Sequence, residues 1–163
     1  MSSSKPLSVL FVCLGNICRS PTAHGVFEQK LVRAGLADQV SVDSAGTAAY
    51  HIGKQPDSRS QKAALERGYD LSTQRARQAI SEDFDRFDYV LAMDSENLRN
   101  LQAIKPANAK TDPVLFLQKY STMSELEVPD PYYGGAQGFE YVLDLVEDAS
   151  DHLIEDIQKR LQA

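Results

Sequence analysis

Apolar positions along this chain switch between two rhythms. Residues 7–12 are almost continuously apolar, with β-branched and aromatic members, the pattern of a strand buried on both faces as a parallel sheet requires. After a short Gly-containing loop, Ser20 and Pro21 read as an N-cap followed by proline at the first helical position. The helix predicted over 21–34 places Ala23, Val26, Phe27, Leu31 and Ala34 on one face, and Gly35 ends it. Residues 40–45 alternate and stop at Gly46, a second strand. A strand, helix and strand within about 40 residues form a crossover unit, which favours a parallel sheet.

The rest of the chain repeats the theme. Asp57 caps a helix running to Gly68, with Ala63, Ala64 and Leu65 inside it, and Ser81 opens a short helical turn. Residues 89–93 are a third strand, Asp94 and Ser95 cap a helix that stops before Pro106, and 114–117 form a fourth strand. Between 117 and 138 lies an irregular stretch with Pro129, Pro131, Gly134 and Gly135; loops longer than about 12–15 residues in a domain are usually functional or disordered. The last helix, 139–161, carries a stripe of Val142, Leu143, Val146, Ala149, Leu153, Ile157 and Leu161. No repeat, linker or low-complexity tract interrupts the pattern. The expectation is one α/β domain over 1–163, with 1–6 as a flexible lead-in. It has a four-stranded parallel sheet flanked by helices on both faces and a phosphate-binding loop after the first strand.

Composition narrows the setting. A chain of 163 residues buries roughly 70% of its unfolded surface, enough for a core without disulfide staples. Twenty-three acidic and 17 basic side chains leave a net charge of −6, which disfavours nucleic acid and anionic membrane as partners; Arg75 and Arg77 make only a small basic cluster. There is no apolar run long enough to span a bilayer, and no signal-peptide pattern. Cys13 and Cys18 are the only cysteines, too few for a secreted disulfide framework, so a cytoplasmic protein is expected. His24, His51 and His152 lack ligand spacing, so no metal or other cofactor is expected; His24 reads as packed or solvated.

The chemistry concentrates in the first loop. Five residues separate Cys13 from Arg19, and a loop of that size between a buried strand and a helix can wrap its N–H groups around one tetrahedral anion, with the helix N-terminus adding free amides. Arg19 offers a planar fork for two anion oxygens. Cys13 would lie beneath the anion as a thiolate nucleophile. Gly15 suits backbone geometry closed to other residues, Asn16 tolerates a left-handed conformation and can brace the loop, and Ser20 can donate to the sulfur. A cysteine ending a buried strand is often only a small hydrophobe; the strand before it, the Ser-Pro start after it and the Gly-Asn inside it favour chemistry. Cleaving a phosphate ester also needs a proton donor. Asp130 is favoured: Pro131 biases it to an extended backbone, the irregular stretch suits a lid, and Tyr132 and Tyr133 offer aromatic faces to an aryl substrate.

The segment Val9-Leu10-Phe11-Val12-Cys13-Leu14-Gly15-Asn16-Ile17-Cys18-Arg19-Ser20-Pro21 closely resembles the signature of the low-molecular-weight protein tyrosine phosphatases. The resemblance continues in order through Val42-Asp43-Ser44-Ala45-Gly46, Pro56-Asp57, Tyr89-Val90-Leu91-Ala92-Met93-Asp94 and Val128-Pro129-Asp130-Pro131-Tyr132-Tyr133-Gly134. It implies a four-stranded parallel sheet and metal-independent hydrolysis of phosphotyrosine in a protein substrate. A phosphocysteine forms on Cys13, Asp130 is the general acid, and inorganic phosphate is the product. It also implies a substrate wall that includes Leu14, Ile17 and Tyr50. Ser44, with Asp43 beside it, would brace Asn16, and Cys18 would pair reversibly with Cys13 under oxidation.

Related chemistries remain as rivals. Relatives that hydrolyse phosphoarginine tend to carry a small polar residue where Ile17 stands, so phosphotyrosine is favoured. Arsenate reductase on this architecture needs further cysteines, and none follows Cys18. A phosphocysteine carrier domain would need neither Asp130 nor the tyrosine pair. A silent phosphoprotein binder would normally lose the nucleophile or the acid.

Overall fold

The apolar runs become four strands in a computed structural model that describes residues 5–131 and 134–163. These are β1 (Leu7–Cys13), β2 (Val40–Gly46), β3 (Tyr89–Ala92) and β4 (Pro113–Leu115). All pairings are parallel, and the sheet order is β2-β1-β3-β4. The near-continuous apolar character of β1 follows from its central place. Val9, Phe11 and Cys13 enter one core, while Leu10 and Val12 enter the other, as the two-residue side-chain period demands.

Helices cover both faces. On the first lie α1 (Arg19–Arg33), α2 (Ser58–Glu66), α5 (Phe116–Tyr120) and α6 (Gly135–Gln162); on the other lie α3 (Asp83–Arg86) and α4 (Ser95–Ile104). Phe11 anchors the larger core by meeting Phe27 and Phe116 edge-on, at centroid distances of 5.7 and 5.1 Å, contacts worth about 0.5–1.5 kcal/mol each beyond their burial. Asp57 caps α2 by accepting from the Arg59 and Ser60 amides. Asp94 caps α4 by accepting from the Asn97 amide. The predicted stripe on α6 is buried from Val142 to Ile157, with Leu161 packed against its end.

Three expectations change. First, α1 begins at Arg19, and Cys18 holds the cap position without capping the helix through its side chain; the Ser20 hydroxyl, expected to cap, lies 3.0 Å from the Cys13 sulfur instead. Second, the fourth strand stops at Leu115, and Phe116–Tyr120 turn into α5. The apolar run 114–117 suits either period, and Phe116, Leu117 and Tyr120 are all buried as a helical set. Third, α6 starts at Gly135 rather than 139, so its first turn takes in residues expected to be loop. Of the lead-in 1–6, residues 1–4 lie outside the described residues, while Lys5 Nζ donates to the Ala37 carbonyl at 2.8 Å.

This topology selects the place for a site. The chain leaves β1 toward β2, then returns across β1 to β3, so the connections diverge at the carboxyl end of β1. In parallel α/β sheets ligands bind in the crevice at such a switch point. Cys13 is the last residue of β1.

Candidate active site

The loop after β1 is held from outside by its carbonyls. The Cys13 carbonyl accepts from the Thr47 amide at 2.9 Å, Leu14 from Ala48 at 3.0 Å, and Ile17 from Asp57 at 2.7 Å. A trans peptide points its N–H opposite its C=O, so the amides of Leu14, Gly15 and Cys18 turn away from those partners; a hollow of about 120 Å³ borders the loop. Cys13 and Arg19, Leu14 and Ile17, Tyr50 and Asp130 line that hollow. Cys13 is 3% exposed, and its sulfur accepts from the Asn16 amide at 3.3 Å and lies 3.0 Å from Ser20 Oγ.

Asn16 is the hub of the loop. It is the only described non-glycine residue with positive φ, at 59°, a conformation that asparagine tolerates better than most. Its Nδ2 donates to Ser20 Oγ at 2.9 Å and to Ser44 Oγ at 3.0 Å, while its Oδ1 accepts from the Arg77 amide at 3.0 Å. The opposite amide orientation would set its NH₂ against the Arg77 N–H, so the partners fix the assignment. The bracing implied for Ser44 is thus present. Asp43 acts one step further out, accepting from the Ser44 amide at 2.8 Å and pairing with Arg77 at 3.0 Å. The expectation for Gly15 is corrected: its φ is not positive, and the loop's left-handed residue is Asn16. A Cβ on Gly15 would lie 2.9 Å from His51 Cδ2, so glycine is needed to seat the His51 ring.

Arg19 divides its donors between scaffold and hollow. Nη1 donates to Asp94 Oδ2 at 2.7 Å and to the Val128 carbonyl at 2.9 Å. Both Nη1 protons are thereby used, and Nη2 and Nε keep the fork expected for two anion oxygens. Burial opposes the charge, but the Cys13 sulfur, Asp94 and Asp130 outweigh it and raise the guanidinium pKa. One arginine thus ties the loop to the cap of α4 and to the segment that carries Asp130.

The remaining predicted residues are distributed as follows. Cys18 is buried at the helix start, and neither it nor Cys13 is in a disulfide. Asp130 is exposed at the mouth. Leu14 and Ile17 form part of the wall, and Tyr50, 72% exposed, stands at its rim. Tyr132 and Tyr133 lie outside the described residues. Sequence reasoning missed three participants: Asp94, read only as a helix cap; Arg77, read only as part of a small basic cluster; and His51, which lines the hollow. The capping position of Asp94 inside a matched segment was the available signal; Arg77 and His51 had none.

A cysteine at the end of the central strand, beneath an anion-sized loop closed by an arginine, is the arrangement of a cysteine-dependent phosphatase. Known proteins share it. The sequence pattern described as Low molecular weight phosphotyrosine protein phosphatase matches residues 8–163. A protein of Schizosaccharomyces pombe named low molecular weight phosphotyrosine protein phosphatase is 44% identical over 138 residues, covering 83% of this chain and 87% of that one. The low molecular weight protein-tyrosine-phosphatase YfkJ of Bacillus subtilis is 40% identical over 157 residues, 96% of this chain and 99% of its own. The crystal structure of a protein tyrosine phosphatase from Entamoeba histolytica with Hepes in the active site matches with a TM-score of 0.89 at 42% identity, covering 94% and 97% of the two chains. The chain belongs to the low molecular weight phosphotyrosine protein phosphatase family, whose members are metal-independent, cysteine-dependent hydrolases.

Proposed function

We propose that this chain hydrolyses phosphotyrosine in protein substrates in two steps, with Cys13, Arg19 and Asp130 as its catalytic residues. The Cys13 thiolate attacks phosphorus in line while Arg19 and the loop amides hold the equatorial oxygens, and Asp130 gives its proton to the departing phenolate oxygen. Water then attacks the phosphocysteine, Asp130 takes a proton from it, and inorganic phosphate leaves with the thiolate restored. Preorganised amides and a guanidinium aimed at developing charge supply the stabilisation. The observation that carries this reading is the convergence of Cys13, Arg19 and Asp130 on one small hollow, with the sulfur held by the Asn16 amide and beside Ser20.

The wall supports an aryl substrate. Leu14, Ile17 and Tyr50 present apolar and aromatic surface beside the sulfur, which fits a flat ring better than a guanidino group; phosphotyrosine and phosphoarginine peptides compared side by side decide between them. Gly15, Asn16 and Ser20 are read as parts of the anion cradle, and Tyr132 and Tyr133 as further wall residues on the strength of their place in the sequence. Asp43 and Ser44 brace the cradle. Cys18 is read as a reversible disulfide partner that shields Cys13 from overoxidation. The whole of 1–163 is read as one catalytic domain acting in the cytoplasm, with neither nucleic acid nor membrane as partner. Among the described residues no helix is long and apolar enough to cross a membrane.

The test is hydrolysis of p-nitrophenyl phosphate without added metal. C13S is expected to abolish turnover, and D130A to slow it by roughly 10²- to 10⁴-fold, the usual worth of a general acid. Normal rates in either variant would sink the assignment.

A further inference from the structure

One histidine stands just outside the machinery. His24 sits on α1 one turn past the loop, its side chain 12% exposed. Its Nδ1 lies 3.3 Å from Ser44 Oγ, and its Nε2 lies 3.7 Å from Glu28 Oε2, one turn further along the helix. The His24 contact, against the opposing effect of burial and with help from His24 and Lys5 charge, holds the Glu28 carboxyl below its ordinary value.

These contacts continue inward. Ser44 Oγ accepts from Asn16 Nδ2, and the same nitrogen donates to Ser20 Oγ, which lies 3.0 Å from the Cys13 sulfur. Five side-chain contacts therefore lead from the outer face of α1 to the sulfur: Glu28, His24, Ser44, Asn16, Ser20, Cys13. The path has a direction. Asn16 uses both Nδ2 protons on the two serines, so each hydroxyl already accepts once and must place its own hydrogen elsewhere. For Ser20 the choices are Cys13 Sγ and the more distant Ala45 carbonyl at 3.4 Å. For Ser44, 4% exposed, they are His24 Nδ1 and Gln74 Oε1 at 3.4 Å. Gln74 is itself fixed, because its Nε2 donates to the Pro21 carbonyl at 3.0 Å. If Nδ1 is bare, Ser44 donates to it; if Nδ1 carries a proton, it donates to Ser44, which then donates to Gln74. Either way Ser44 stays aimed at Asn16.

We infer that His24 is a positioning residue for Cys13: by holding the buried Ser44 hydroxyl it keeps Asn16 in the orientation that directs Ser20 onto the sulfur. This rests on Cys13 being the nucleophile, and nothing in the role requires His24 to touch substrate. Its loss therefore acts on turnover and leaves substrate affinity nearly unchanged.

Steady-state hydrolysis of p-nitrophenyl phosphate by the full chain, together with thermal denaturation, tests it in the parent, H24A, H24N and H24Q. An asparagine amide reaches the place of Nδ1 and can serve Ser44; a glutamine amide reaches the place of Nε2 and serves only the Glu28 side. H24A is expected to lower kcat by roughly 2- to 12-fold, the net worth of one hydrogen bond, with KM little changed. H24N restores most of the rate and H24Q does not. Parental kcat in H24A overturns the inference, as does a change confined to KM or a rescue by H24Q equal to that by H24N. Should H24A fail to fold, the contrast between H24N and H24Q decides alone. A parent chain without phosphatase activity would instead refute the functional reading itself.

Discussion

Replacing Asp94 separates two jobs that one carboxylate performs. Its Oδ1 caps α4 through the Asn97 amide at 2.8 Å, and its Oδ2 holds Arg19 Nη1 at 2.7 Å, with the two side chains only 20% and 11% exposed. Asparagine is as good an N-cap as aspartate, so D94N keeps the helix start; its single amide oxygen then serves the cap, and its NH₂ faces the Arg19 Nη1 protons, so the bond to Arg19 is lost. A bond to a charged group is worth about 1.5–3 kcal/mol, roughly 10- to 150-fold in rate if Arg19 acts in the transition state. D94A loses the same bond and also the cap, about 1 kcal/mol of stability. The assay is kcat on an aryl phosphate, paired with urea denaturation of both variants. Expected is a D94N with reduced kcat and parental stability, and a D94A reduced in both. A D94N with parental kcat, or activity losses that merely track stability, would refute the claim that this carboxylate sets the arginine.

Two further predictions concern the scaffold. A Cβ on Gly46 would lie 2.7 Å from the Leu14 carbonyl oxygen and 3.1 Å from the Asn16 amide nitrogen; these are backbone atoms, so G46A is expected to cost about 1–3 kcal/mol and to lower kcat/KM, read by denaturation and steady-state kinetics. Asp148 is opposed by burial, but bonds from Thr122 and Ser121 prevail and depress its pKa below the ordinary 3.8. Its stabilising effect is thus complete above that ordinary value and is lost as pH falls through the lower folded one. D148N should be less stable than the parent near neutrality, with the gap closing below about pH 4 in pH-dependent thermal denaturation; a gap independent of pH would count against the argument.

The sheet and its crossover were readable because β1 and β3 carry apolar runs and β2 an alternating one, each of strand length, separated by segments of helical period. Where the reading slipped, the signal was degenerate. The 114–117 run fits a strand and a helical turn equally, and the glycines at 134, 135 and 138 concealed the start of α6. At the site, Cys13 and Arg19 stood out because spacing within one loop is a local property. Asp94 and Arg77 did not, because their partners lie 75 and 61 residues away in the chain, and only the closed sheet brings them together. Ser20 shows the same competition in miniature: local propensity made it a helix cap, while the buried sulfur beside it offered its hydroxyl another partner.

The bond from Arg19 to the Val128 carbonyl links regions of unequal opening energy. Cys13 ends the central strand, whose amides are paired on both sides and whose opening approaches global unfolding, whereas Asp130 is exposed on a short stretch between the buried Val128 and Pro131, tied to the sheet through the Val128 amide, which donates to the Met93 carbonyl. Segments with few buried contacts open at far lower cost than core strands. If Asp130 is the acid, as proposed, the acid side is expected to yield more readily than the cradle beneath the sulfur, and Arg19 is the tether across which that motion is felt.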